Sequence, residues 1–189
     1  MKRFYFLLCS VLVLGFMPGL ARADSACGGI IQMKNDCLKN GRSWHINCCP
    51  DNYRVQGVAY DDHPDQDHAD AVGPICRKVG ESSNPVMPED YSKTPKTFEC
   101  DKTEVMAGIY DKDVLTDSGD KRDTLDGVTA VCQKPGSEGL RKIANRDIEG
   151  GREGREQTVL LPKRVVGIAY KELDKGSSDR ADCVTIITK

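Results

Sequence analysis

An all-β fold built from three like units is predicted by three observations. The hexapeptides Val55-Gln56-Gly57-Val58-Ala59-Tyr60, Val105-Met106-Ala107-Gly108-Ile109-Tyr110 and Val165-Val166-Gly167-Ile168-Ala169-Tyr170 each run from Val to Tyr. Each is followed by a segment of the pattern D-x-x-D-x-V-x-x-[IV]-[CT], starting at Asp67, Asp123 and Asp179. Seven, thirteen and nine positions separate the Tyr from that first Asp, so the length varies only in the connection. Constant apolar segments joined by variable polar ones are strands joined by surface loops, and two motifs recurring three times in one order mark an internal repeat.

Taken in chain order, residues 1–23 read as a signal peptide. Met1-Lys2-Arg3 is charged, residues 4–17 are apolar, and Ala21-Arg22-Ala23 places small residues at −3 and −1 of a cleavage site before Asp24. The apolar run is too short to span a bilayer and stops at Pro18-Gly19. No later run is long enough, which predicts a secreted or periplasmic chain without a transmembrane segment. Residues 24–189 are then expected as one disulfide-stabilised β domain, with repeat cores at about 49–78, 100–134 and 159–189. Residues 30–38 suggest a helical turn and residues 140–148 a short helix. Residues 79–97, with Pro85, Pro88 and Pro95, read as a loop, and the Gly- and charge-rich run 150–156 as a solvated link.

Within each unit, alternate positions of the first strand give one face as Val55, Gly57, Ala59, then Val105, Ala107, Ile109, then Val165, Gly167, Ala169. Such small side chains suit a crowded axis between three backbones. Tyr60, Tyr110 and Tyr170 fall together on the opposite face.

Charge narrows the function. Without residues 1–23, 24 Lys and Arg face 29 Asp and Glu, so the basic footprint of a nucleic-acid binder is absent. Trp44, Phe98 and five tyrosines are the remaining aromatics, too few for a broad stacking surface.

Beyond Cys9 of the signal there are eight cysteines, an even number that in an exported chain predicts disulfides. Cys49 lies eleven residues before Tyr60 and Cys100 ten before Tyr110, while Cys76 and Cys132 close the same two units. The third unit lacks both, as expected if each unit closes on itself. This predicts Cys49–Cys76 and Cys100–Cys132, each contributing about 3 kcal/mol on a chain-entropy account. The remaining four are expected as Cys27–Cys37 and Cys48–Cys183. No C-x-x-C pair occurs, which argues against structural zinc.

The richest polar cluster is residues 61–70, where Asp61, His63, Asp65 and Asp67 are candidate ligands for calcium or another cation. The cluster lacks the sixth-position Gly and terminal Glu of an EF-hand. Asp67 and Asp70 recur as Asp123/Asp126 and Asp179/Asp182, which favours turn-capping over metal binding, and no cofactor is expected. Trp44-His45 suits either sugar stacking or packing. No nucleophile–base set or paired carboxylate stands out, so no catalytic residue is assigned.

The segment Gly119-Asp120 with Asp123-Thr124-Leu125-Asp126-Gly127-Val128-Thr129-Ala130-Val131-Cys132, and the Val105–Tyr110 strand before it, resembles the repeat of the vitelline membrane outer layer protein family. The resemblance covers the three repeat cores. Asp126 stands where that family usually has Asn, Pro74 interrupts the first unit's second strand, and the third unit lacks the closing Cys. The resemblance implies a pseudo-threefold β-prism, with a β-trefoil as the rival three-unit fold; it also implies an extracellular coat setting with carbohydrate-related activity. The function expected from all of this is non-catalytic binding of a glycan or a cell-envelope or extracellular-matrix component. The alternatives are a structural coat or protein-interaction component, and a carbohydrate-active transferase or hydrolase.

Overall fold

The structure, a computed structural model, describes residues 25–31, 44–62, 69–78, 95–113, 125–146, 154–172 and 181–189. Twelve strands run through them: β1 (Ser25–Ala26), β2 (Gly29–Ile31), β3 (His45–Cys48), β4 (Tyr53–Asp62), β5 (Ala69–Lys78), β6 (Lys96–Glu99), β7 (Val105–Asp113), β8 (Leu125–Gln133), β9 (Leu140–Lys142), β10 (Arg155–Thr158), β11 (Val165–Glu172) and β12 (Ala181–Thr188). They form three antiparallel sheets of order β5-β4-β6, β10-β7-β8-β9 and β1-β2-β12-β11-β3. Each sheet is centred on one long hairpin, and one apolar core draws on all three. This is the prism arrangement, not the β-trefoil.

The three hairpins repeat one register. Val72, Val128 and Val184 pair with Tyr60, Asp111 and Tyr170, and the motif residues Ile75, Val131 and Ile187 pair with Gly57, Gly108 and Gly167. Just before each of these glycines the first strand carries an extra residue, Gln56, Ala107 or Val166. A bulge residue switches the side-chain alternation. The core face is therefore Val55, Val58, Tyr60, then Met106, Ile109, then Val165, Ile168, Tyr170. The expected small-residue axis is corrected: bulky side chains fill the centre, and the glycines lie elsewhere. Tyr110 is corrected too. It sits one position off its supposed equivalents, half-buried, with the Lys142 ammonium 3.3 Å from its ring centroid and its hydroxyl accepting from the Gly154 N–H at 3.0 Å.

The glycines admit the third strand of each sheet. A Cβ on Gly57 would collide with the Phe98 carbonyl of β6, one on Gly108 with the Gln157 carbonyl of β10, and one on Gly167 would lie 2.6 Å from the Asn47 carbonyl of β3. A glycine in a strand commonly marks such a close backbone approach. The bulge carbonyls then accept the next N–H of the incoming chain: Cys100 to Gln56 at 2.9 Å, Val159 to Ala107 at 2.8 Å, Cys49 to Val166 at 3.2 Å. Each third strand thus leads into the hairpin of one unit while completing the sheet of another. β6 and β10 do so for the first two sheets, and β3, near the start of the described chain, completes the last.

Side-chain amides then reach equivalent carbonyls of the three second strands, those of Asn47 and Gln157 from a neighbouring sheet and that of Asn145 from the chain just after β9 in the same sheet. The Asn47 Nδ2 donates to the Val72 carbonyl at 2.9 Å, the Asn145 Nδ2 to the Val128 carbonyl at 3.3 Å and the Gln157 Nε2 to the Val184 carbonyl at 2.9 Å. The Gln56 Nε2 reaches the carbonyls of Cys100, Asp101 and Glu104 at 2.9, 2.8 and 3.2 Å, locking the first strand to the second unit's turn. These bonds satisfy backbone oxygens that burial would otherwise leave unpaired, at about 1–3 kcal/mol for each lost partner.

Cys49–Cys76 and Cys100–Cys132 are both disulfides, with Cα separations of 5.5 and 5.6 Å. The remaining pairing is corrected: Cys27 bonds to Cys48, not to Cys37, so Cys48 is not the partner of Cys183. The physical reason is that both cysteines meet at Gly167: Cys48 of β3 pairs with that glycine, and the turn between β1 and β2 brings the Cys27 sulfur to 2.9 Å from where its Cβ would stand. Cys183 is itself disulfide-bonded, and Cys37 lies outside the described residues. Two other local expectations fail. Residues 140–142 pair with Val131–Gln133 as β9 instead of starting a helix, and the link at 150–156 supplies Arg155 and Glu156 to β10. Likewise Ile30 and Ile31, at the start of the expected helical turn, belong to strand β2, and Lys96 and Thr97, at the end of the expected loop, begin β6. Pro74 is tolerated because, among the described strands, β5 pairs with β4 alone, so no ladder on its other edge is broken.

Candidate functional site

At the end of the prism where the hairpins' first strands begin, three equivalent turns precede them. Tyr53 N–H donates to the Pro50 carbonyl at 3.0 Å, Glu104 N–H to Asp101 at 2.8 Å and Lys163 N–H to Leu160 at 3.2 Å. In the second turn Asp101 and Glu104 are held by Arg141. Its Nε donates to Glu104 Oε1 at 3.0 Å, its Nη2 to Asp101 Oδ2 at 3.1 Å and also to Glu104 Oε2. The Arg141 hydrogen bond holds the Glu104 carboxyl below its ordinary value of 4.5, opposed by burial and assisted by the Asp101 N–H. A depressed carboxyl contributes stability that is fully present above the unfolded value and is lost as pH falls through the folded one. Arg141→Met is therefore expected to cost about 0.5–1 kcal/mol at pH 7, since the arginine is 45% exposed. The difference should shrink as urea titrations are carried below pH 4.5; a deficit that stays equal down to the acid end would exclude this ion pair as its source.

The first and third turns, with the start of β7, enclose a cavity of about 500 Å³. Its wall carries the apolar side chains of Met106, Val159, Leu161 and Pro162, and the half-buried Tyr53. Arg54, Gln133, Lys163, Arg164 and Lys189 bring polar groups, with Asp51 as the single acidic side chain of the lining. Arg54 and Arg164 are equivalent, each three residues before its bulge glycine. The Arg54 guanidinium rests on the Lys102 carbonyl at 3.3 Å, leaving its buried Nε without a partner. Gln133 is 5% exposed; its Nε2 donates to the Ser137 carbonyl at 2.8 Å while its Oε1 is unpartnered.

Among the described residues, no candidate metal ligand lines this cavity. Asp61 is half-buried near the far end of β4, and His63, Asp65 and Asp67 lie outside the described residues, as do the turn aspartates Asp123 and Asp179. Cys100, Glu104 and Cys132 converge elsewhere, but the two sulfurs are spent in their disulfide and the carboxylate on Arg141. Trp44-His45 is occupied by packing. Trp44 lies on the Ile31, Ala169 and Ile187 cluster with the Lys171 ammonium 4.9 Å from its ring, and His45 stacks on Tyr170 at 4.8 Å. Sequence reasoning missed the cavity residues. Their signal is positional: Arg54 and Arg164 directly precede the first Val of a repeat.

Among the described residues no helix is long and apolar enough to cross a membrane. No family model matches the chain and no curated protein matches it, so the vitelline membrane outer layer resemblance rests on the repeat residues alone. Among solved structures, the crystal structure of Calystegia sepium agglutinin is similar to this chain, at 11% identity and a TM-score of 0.46, over 79% of this chain and 90% of that one.

Proposed function

We propose that the chain is an exported, secreted or periplasmic, non-catalytic binding protein that takes a glycan or a glycan-bearing envelope component at the turn-end cavity. The observation that carries this reading is the cavity itself. Its volume of about 500 Å³ suits a few sugar rings. Its wall alternates apolar surface, including the Tyr53 ring, with hydrogen-bonding ends, as the faces and hydroxyls of a saccharide require. One acidic side chain in the lining, Asp51, does not make the acid pair of a glycosidase. The signal-like residues 1–23 and the disulfides support export.

The test is binding of the oxidised protein to a broad panel of glycans and cell-wall fragments, with calcium and then with chelator. Saturable binding is expected, weakened about tenfold or more in Tyr53→Ala and unchanged by chelator. Binding that chelator abolishes and Tyr53→Ala leaves intact would move the site to Asp61, His63, Asp65 and Asp67. A panel without any saturable ligand would overturn the reading.

A further inference from the structure

We propose that the turn-end cavity recognises an acidic saccharide, one bearing carboxylate or sulfate groups; this rests on the glycan reading and specifies its ligand class. The protein is acidic overall, with 29 Asp and Glu against 27 Lys and Arg. Yet four cationic side chains, Arg54, Lys163, Arg164 and Lys189, line this one cavity against a single acidic side chain, Asp51. Asp101 and Glu104 of the second turn lie outside the lining and are engaged by Arg141. Lys163 and Arg164 are exposed, and among the described residues no ion pair or side-chain hydrogen bond engages them. Their backbones are nonetheless fixed: Lys163 closes its turn on Leu160, and Arg164 exchanges two hydrogen bonds with Lys189, each of 3.0 Å. The main chain that carries these cations is therefore fixed, while among the described residues no ion pair engages the Lys163 and Arg164 side chains.

A second feature points to a ligand independently of charge. Gln133, nineteen-twentieths buried in the wall, leaves its Oε1 unpaired, and the neighbouring Arg54 leaves its Nε unpaired. Unpaired buried polar atoms are uncommon in native proteins and call for a specific cause. A small rotation of either side chain offers the cavity an acceptor for a sugar hydroxyl or a donor for an anionic oxygen, with the apolar wall beneath the ring. Arginine suits this task because its planar fork matches carboxylate and sulfate oxygens.

The experiment titrates the oxidised full chain with an oligogalacturonate, a sulfated galactan fragment, and a neutral galactan fragment of equal length. Binding of at least one acidic oligosaccharide about tenfold tighter than the neutral one is expected, weakening as sodium chloride rises to about 0.5 M. The carboxylate and sulfate arms show which anion is preferred. The double variant Lys163→Gln/Arg164→Gln, on exposed side chains whose loss spares the core, should abolish that preference while its unfolding midpoint stays unchanged. Equal binding of acidic and neutral fragments that still depends on Tyr53 would overturn the acidic specificity and leave the glycan reading standing. Acidic binding insensitive to the double variant would also overturn it, placing the anion elsewhere. No binding to any of the three would overturn this proposal, and the full panel would then decide the glycan reading separately.

Discussion

Replacing the Cys100–Cys132 disulfide by Val and Thr is expected to lower the stability of the oxidised protein by about 3–4 kcal/mol. The bond closes a loop with a sequence separation of 32 and joins two nearly fully buried residues at the base of the second hairpin. The third unit shows which uncrosslinked pair the same place accepts. By register, Val159 stands where Cys100 does and Thr188 where Cys132 does, and both are buried. Cys100→Val/Cys132→Thr therefore keeps volume and packing, and removes mainly the constraint on the unfolded chain. Urea unfolding monitored by circular dichroism should report the loss, together with a melting temperature lower by about 10 °C. A deficit under about 1 kcal/mol would mean that the crosslink closes a loop already restrained in the unfolded state.

Gly108→Ala is expected to destabilise by about 2–4 kcal/mol, the largest effect of any single methyl group in the described chain. The added carbon falls inside the Gln157 carbonyl and close to the Thr158 Cα at 2.8 Å, both backbone, so no side-chain rotation relieves it. Either β7 shifts or β10 leaves the sheet. If β10 leaves, Gln157 also gives up its bonds to the Val184 carbonyl and the Thr185 hydroxyl, both 2.9 Å. Gly136→Ala is the control: its φ of +80° disfavours a side chain, but nothing lies within 4 Å. It should cost about 1–2 kcal/mol, from the backbone conformation alone. Hydrogen exchange at the Val159 amide, which donates to the bulge carbonyl of Ala107, should accelerate in Gly108→Ala alone. Equal stability of the two variants would show that the close approach is not the reason for the glycine.

The one-residue shift of the second unit was visible in the sequence before it could be interpreted. Cys49 precedes Tyr60 by eleven residues and Cys100 precedes Tyr110 by ten. Aligning the tyrosines matches Ala107 to Gly57; aligning the cysteines matches Gly108 to Gly57, and the backbone obeys the cysteines. A bulge leaves no mark on hydrophobic alternation that distinguishes it from a face swap, so the small-residue axis was a reasonable expectation and the wrong one. Similarly, the strands β3, β6, β9 and β10 are three or four residues long, with polar residues such as Asn47, Thr97, Arg141 and Glu156. Segments so short carry no period; pairing with a long neighbouring strand makes them strands.

The sequence by itself determined the all-β class, the three hairpins with the register of their second strands, and the disulfides within the first two units. Each rests on local repetition, which a linear chain displays directly. The tertiary structure decided which strand completes which sheet, how Cys27 and Cys48 meet, and where a cavity opens. Arg54, Gln133, Lys163 and Lys189 are scattered over some 135 positions and meet only because the first and third turns come together with the start of β7 at one end of the prism. Convergence of that kind is a property of packing, where distant residues share a wall, and no spacing along the chain encodes it.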